Sequence, residues 1–225
     1  MKKQFLILFF ICTSSITIGQ IHETGIVFGG TNYVGDIGRT DYLLPNSVGG
    51  GLIYKYNLNP RIAFRGTLSF LSIKGDDINA TNAVRKNRGY TFKNAIKELA
   101  VGIEFNFFEY DLSSRDKTFT PYILLKIAGF MYDAPNAETA AGQYTYKNKT
   151  SFTVPFGIGF KTRLIDRFAI AIETKVNYTF EDDIDFSTKR ISSLDFGGNG
   201  NDWYMFTGFS IVYTFGRPAC YADLK

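Results

Sequence analysis

One histidine serves the whole chain. It is His22, so a hydroxyl nucleophile that needs an imidazole base can find one only near the start of the sequence. The segments able to form long connections contain no histidine, which excludes a Ser–His pair there. Glu181, Asp182, Asp183 and Asp185 crowd one stretch and have the charge to hold a divalent ion, yet no glycine turn and closing glutamate follow at calcium-loop spacing. Lys74, Arg85, Lys86 and Arg88 form a basic stretch suited to phosphate or to plain solvation. Gly29-Gly30-Thr31 lacks the lysine and spacing of a phosphate loop, and Asn79-Ala80-Thr81 and Asn148-Lys149-Thr150 match only a short glycosylation pattern. These residues point to a protein that is not an enzyme. They imply no cofactor, no metal and no small-molecule substrate.

A second set of charges carries more information, because it recurs at alternate positions inside apolar segments. Phe168, Ile170, Ile172, Thr174, Val176, Tyr178 and Phe180 share one strand face, while Ala169, Ala171, Glu173, Lys175, Asn177 and Thr179 share the other. Phe152, Val154, Phe156, Ile158 and Phe160 stand against Thr153, Pro155, Gly157, Gly159 and Lys161. Leu99, Val101, Ile103, Phe105 and Phe107 stand against Glu98, Ala100, Gly102, Glu104 and Asn106. The closing segment sets Trp203, Met205, Phe209, Ile211, Tyr213 and Phe215 against Gly208, Ser210 and Thr214. Weaker copies place Arg65 and Thr67 opposite Phe64 and Leu68, and Lys126 opposite Leu125 and Ile127. Two glycine-rich segments, about 23–36 and 47–57, complete a set of eight.

A strand that crosses a bilayer needs about 9–11 residues with alternate side chains in lipid, and single-chain bacterial barrels take even strand numbers. The fold expected is all-β, an eight-stranded antiparallel transmembrane β-barrel with short periplasmic turns and long external loops. A soluble sandwich also alternates. Its outer face would not carry so many small residues and isolated charges, nor would its apolar face end in Tyr, Trp and Phe girdles. The 22 Phe, 14 Tyr and 22 Gly fit short strands, and a charge of +4 spread along the chain gives nucleic-acid binding little support.

An eight-stranded barrel has an interior that side chains can fill. Lys55, Arg65, Glu104, Lys126, Lys161, Glu173 and Lys175 are expected there, with opposite charges pairing in a network around Glu104 and Glu173. Short connections are expected at 57–60, 111–118 and 164–167, and long ones at 36–46, 73–96, 133–150 and 181–201. Their alternation puts both termini in the periplasm.

The start of the chain reads as a signal peptide over residues 1–19, with Lys2 and Lys3, an apolar run from Phe5 to Ile11, and a small polar end near Gly19. Phe10-Ile11 before Cys12 is a poor lipoprotein context. The barrel is expected over 20–216 and a periplasmic tail over 217–225, holding the remaining cysteine, Cys220.

The segments RGYTFKNAIKELAVGIEFNFFEY (88–110), TPYILLKIAGFMYDAPNA (120–137), SFTVPFGIGFKTRLIDRFAIAIE (151–173) and DWYMFTGFSIVYTFGRPACY (202–221) resemble the PorG-like outer-membrane barrels of the type IX secretion system. HETGIVFGGTNYVGDIG (22–38) fits the same pattern. The resemblance implies a non-enzymatic outer-membrane component that contacts a periplasmic ring of PorK- and PorN-like proteins. With it, Pro218, Cys220 and Tyr221 of the tail become the candidate partner contact.

Overall fold

The computed structural model describes residues 21–111, 118–165, 167–198 and 200–216. The signal peptide expected over 1–19 and the tail expected over 217–225, with Pro218, Cys220 and Tyr221, lie outside these residues. Eight strands form a closed ring: β1 (Ile21–Val34), β2 (Ser47–Asn57), β3 (Ile62–Asp76), β4 (Thr91–Asn106), β5 (Phe119–Ala140), β6 (Gln143–Ile165), β7 (Phe168–Thr179) and β8 (Trp203–Phe215). Every neighbour pair is antiparallel, and β1 closes on β8 from His22↔Phe215 to Val34↔Trp203. At the level shared by all eight strands, closure leaves no unpaired strand edge, the condition for crossing hydrocarbon with strands.

The period of two sets which residues face out. On β4, Leu99, Val101, Ile103, Phe105 and Phe107 are exposed, while Glu98, Ala100, Glu104 and Asn106 are buried. The same belt continues through Leu125 and Ile127 on β5, Phe156 and Ile158 on β6, and Ile26 and Phe28 on β1. A surface so apolar outside and so charged inside inverts a soluble domain and suits lipid. Small residues let the wall curve tightly. A Cβ on inward-facing Gly102 would stand 2.6 Å from Lys126 Cα on the next strand.

Three connections lie at the end where the described chain starts and stops: 58–61, 107–118 and the two residues between Ile165 and Phe168. The first is an Asx turn in which Asn59 Oδ1 accepts from the Arg61 and Ile62 amides, both at 2.8 Å.

The opposite end differs from expectation in two places. The segment 133–150 is not a loop but a continuation of β5 and β6, joined by Ala141 and by Gly142 at φ 75°. The connection expected over 73–96 is only 77–90, because β3 and β4 run on to Asp76 and Thr91, and it contains a short helix α1 (Ala83–Arg88). Above the belt the outward face turns polar, as at Lys74 and Lys93, so hydropathy no longer marks the strand while backbone pairing persists. Met205, on the outward parity of β8, is also buried rather than exposed.

The belt makes a direct prediction. Leu125→Arg places a cation on the lipid face and should destabilise the folded barrel by about 2–4 kcal/mol if it lies at the bilayer midplane. Urea unfolding in vesicles measures this. A cost no larger than that of Glu109→Arg, an exposed position in the 107–118 connection, would contradict a lipid-facing role for Leu125.

Candidate functional site

Charged side chains meet inside the barrel at the level of the belt. Glu104 on β4 accepts from three cations on three other strands: Lys161 Nζ at 2.6 Å, Lys55 Nζ at 3.0 Å and Arg65 Nη1 at 3.1 Å. Arg65 reaches on to Glu173 of β7, with Nη2 2.7 Å from Oε2, and the Tyr122 hydroxyl donates to the same carboxylate at 2.7 Å. Lys175 does not join this cluster. It pairs with Glu98 at 2.7 Å, and Tyr204 of β8 donates to Glu98 at 2.5 Å. Lys126 makes no ion pair among the described residues, and its Nζ donates to Thr67 Oγ1 at 3.1 Å.

Two lumen acids were absent from the expected set. Glu98 has the same parity as Glu104 and could have been read from it. Glu23, 3.9 Å from Lys55 and bonded to Asn57 Nδ2 at 2.9 Å, sits in a glycine-rich strand whose alternation is too faint to place it. His22 stands just outside the strand expected from about 23, and the structure corrects that boundary. It lies within β1, its ring stacks on Phe215 at 5.4 Å, and its Nδ1 is 2.8 Å from the Tyr54 hydroxyl. An imidazole half-apolar in character fits an aromatic rim of this kind.

The end with the longer connections is folded shut. Ile37 of the 35–46 connection and Ile184 of the 180–202 connection are buried in one cluster with Tyr33, Phe92, Phe130, Tyr132 and Phe206, and Leu194 of the 180–202 connection is buried as well. Arg88 at the end of α1 ties the pieces together. It grips Asp77 through Nε at 2.6 Å, donates to the Asp36 carbonyl at 2.8 Å, and lies 4.3 Å from the Phe196 ring. Asp183, from the acidic stretch, accepts from Lys149, Arg190 and Tyr132. No group of acids, His and Cys suited to a metal occurs among the described residues.

Asp185 and Asp202 are treated differently. Both carboxyls contact the hydroxyl of Tyr33, Asp185 Oδ2 at 2.7 Å and Asp202 closer still. A phenol has one proton to donate, so the second contact needs a proton on a carboxyl. Neither acid has an ion-pair partner among the described residues. Burial raises Asp185 above the usual carboxylate range, and burial together with the Asp185 charge raises Asp202 well above it. Asp77 moves the other way. Burial pushes it up, but the Arg88 hydrogen bonds and the Gly38 amide hold it below its ordinary value.

A closed β-barrel with an apolar belt, a lumen filled by ion pairs and one folded mouth defines an eight-stranded transmembrane barrel. Over residues 2–223 the chain matches the family described as "Domain of unknown function (DUF6089)", and it belongs to that family. No curated protein matches it. Among solved structures it is similar to Ail, the attachment invasion locus protein of Yersinia pestis, crystallised with the heparin analogue sucrose octasulfate. Identity is 14% and TM-score 0.49, over 88% of this chain and 100% of that one. It is also similar to Neisserial surface protein A, at 8% identity and TM-score 0.49, over 87% and 97%. A third is OprG of Pseudomonas aeruginosa, at 12% identity and TM-score 0.46, over 88% and 97%.

Two outcomes are expected. Glu104→Ala leaves buried Lys161 without an ion-pair partner and takes one partner each from Lys55 and Arg65, and should cost about 3–5 kcal/mol, read as a lower temperature for loss of the compact band in gel electrophoresis. An unchanged transition would show that the cluster does not hold the barrel. At the mouth, the raised Asp185 and Asp202 contribute stability that is complete below the ordinary aspartate value, about 3.9, and is lost as pH climbs through their raised values. Hydrogen exchange in 180–202 should therefore quicken, beyond the intrinsic rate, as pH rises from the ordinary aspartate value through the raised ones, and Asp202→Asn should flatten the slope. A slope unaltered by that substitution would refute the assignment.

Proposed function

We propose that the protein resides in the bacterial outer membrane, long connections outward and both termini in the periplasm, as a non-enzymatic anchor of a type IX-like protein secretion machine. The observation that carries the anchoring role is the filled lumen. With Glu104 held by Lys55, Arg65 and Lys161, the middle of the barrel has charged side chains where a solute path would run. A barrel that does not conduct serves through its surfaces. The resemblance of 88–110, 120–137, 151–173 and 202–221 to PorG-like barrels supports secretion as the process. Its partners would be outer-membrane lipid and a periplasmic ring of PorK- and PorN-like proteins, met by the short connections and by Pro218, Cys220 and Tyr221 of the tail.

Deleting the gene should abolish export of the machine's cargo, and removing 217–225 should release ring proteins from the detergent-solubilised barrel. Intact secretion in the deletion strain would overturn the proposal. A second reading, a barrel that binds a partner outside the cell, is favoured by the ordered mouth, where Arg88 fixes three connections together. It predicts normal secretion and lost surface binding. Steady conductance in a planar bilayer would refute both.

A further inference from the structure

The outer wall carries a feature that the apolar belt does not explain. Lys74 on β3 and Lys93 on β4 are direct cross-strand partners, and both are exposed on the outward face. Lys97 shares that face four residues along β4, opposite Phe70 on one side and Met131 on the other. Phe70 and Met131 are the last large apolar side chains on the outward faces of β3 and β5 before Ser72 and Lys74 on the one and Asp133 on the other. The three ammonium groups therefore stand at the upper edge of the belt, on the side of the folded mouth.

Like charges placed directly opposite in an antiparallel pair destabilise it. Here none of the three lysines has an ion-pair partner among the described residues. Two carboxylates occupy nearby positions, and both are engaged. Asp76 accepts from the Ile78 amide at 3.0 Å and from Asn79 at 3.2 Å, and Asp133 accepts from Asn148 at 3.5 Å.

Between the lysines the wall is hollow. Ser72 and Ala95 pair directly, and with Gly50 they line a surface depression of about 430 Å³ bordered by Val48, Phe70 and Lys97. The Ser72 hydroxyl beside it is withdrawn from solvent and has no hydrogen-bond partner. Small residues under a basic rim, with apolar side chains below, match a molecule that is anionic at one end and hydrocarbon at the other.

We propose that this depression binds a phosphorylated lipid of the leaflet at the mouth end, its phosphates held by Lys74, Lys93 and Lys97 and its chains lying over Val48 and Phe70. The proposal rests on the reading of the chain as a membrane barrel, and charge complementarity selects the occupant. Basic residues at a membrane surface contribute additively to anionic lipid binding, about fivefold in affinity for each lysine.

The test uses the full chain extracted from the envelope and reconstituted in phosphatidylcholine vesicles, alone or with diphosphorylated lipid A. Folding into vesicles is scored first by the compact gel band. Wild type should retain lipid A through washing in neutral detergent, and K74Q/K93Q/K97Q should lose it by a factor of at least about 10. Ala95→Phe, which fills the depression and keeps the charges, should also lose it. Lipid A stripped of its phosphates should not be retained, and millimolar inorganic phosphate should not displace the lipid. Equal retention by the triple variant or of the dephosphorylated lipid overturns the site while leaving the barrel intact. Displacement by inorganic phosphate alone overturns the lipid as occupant. Failure of wild type to fold into vesicles overturns both readings at once.

Discussion

A carboxylate inside a narrow protein tube must be surrounded by cations or it will not stay ionised, and Glu104 sets this constraint for the whole barrel. Moving such a group out of water costs several kcal/mol, which close cations must offset. Those cations come from β2, β3 and β6, on both sides of β4 in the ring. An open sheet would carry Lys55 and Lys161 apart, whereas a closed one brings them to the same two oxygens. Arg65 extends the contact to Glu173 on β7, and Lys175 with Tyr204 repeats the device at Glu98 for β7 and β8. Interior charge and closure thus support one another, which frees the outer face to be apolar.

That division of labour decides where function can lie. Positions facing inward at belt level are committed to satisfying one another, and positions facing outward in the belt are committed to hydrocarbon. What remains are the two rims. One is short and aromatic, built from residues such as His22, Tyr54 and Phe215. The other is thick, with β5 and β6 rising above the belt as a hairpin and the 180–202 connection folded into the opening.

The sequence was most legible where one strand face met lipid. There the period of two is enforced by solvent, so the strands, their parity and the inward charges Arg65, Glu104, Lys161 and Glu173 could be read directly. Legibility failed where that enforcement stops. Lys74, Lys93 and the residues around Ala141 put polar side chains on the outward face, so the strands there read as loops. Parity alone cannot choose partners either. It places Lys126 in the lumen but does not reveal that Lys126 meets Thr67, or that Lys175 meets Glu98 and not the Glu104 cluster. The Asp185–Tyr33–Asp202 contact joins residues more than 150 positions apart through a loop with no period at all.

The two buried acid systems solve the same problem in opposite ways. In the lumen, Glu104 and Glu98 are met by lysine and arginine side chains. At the mouth, Asp77 and Asp183 follow the same rule with Arg88, Lys149 and Arg190. Asp185 and Asp202 do not, because the group placed between them is a phenol, which neutralises neither and can donate to only one. A proton must take the place of the missing cation. The wall of the barrel is therefore held by fixed charges and the centre of its mouth by an exchangeable one, so the mouth can loosen with the strands below it unchanged.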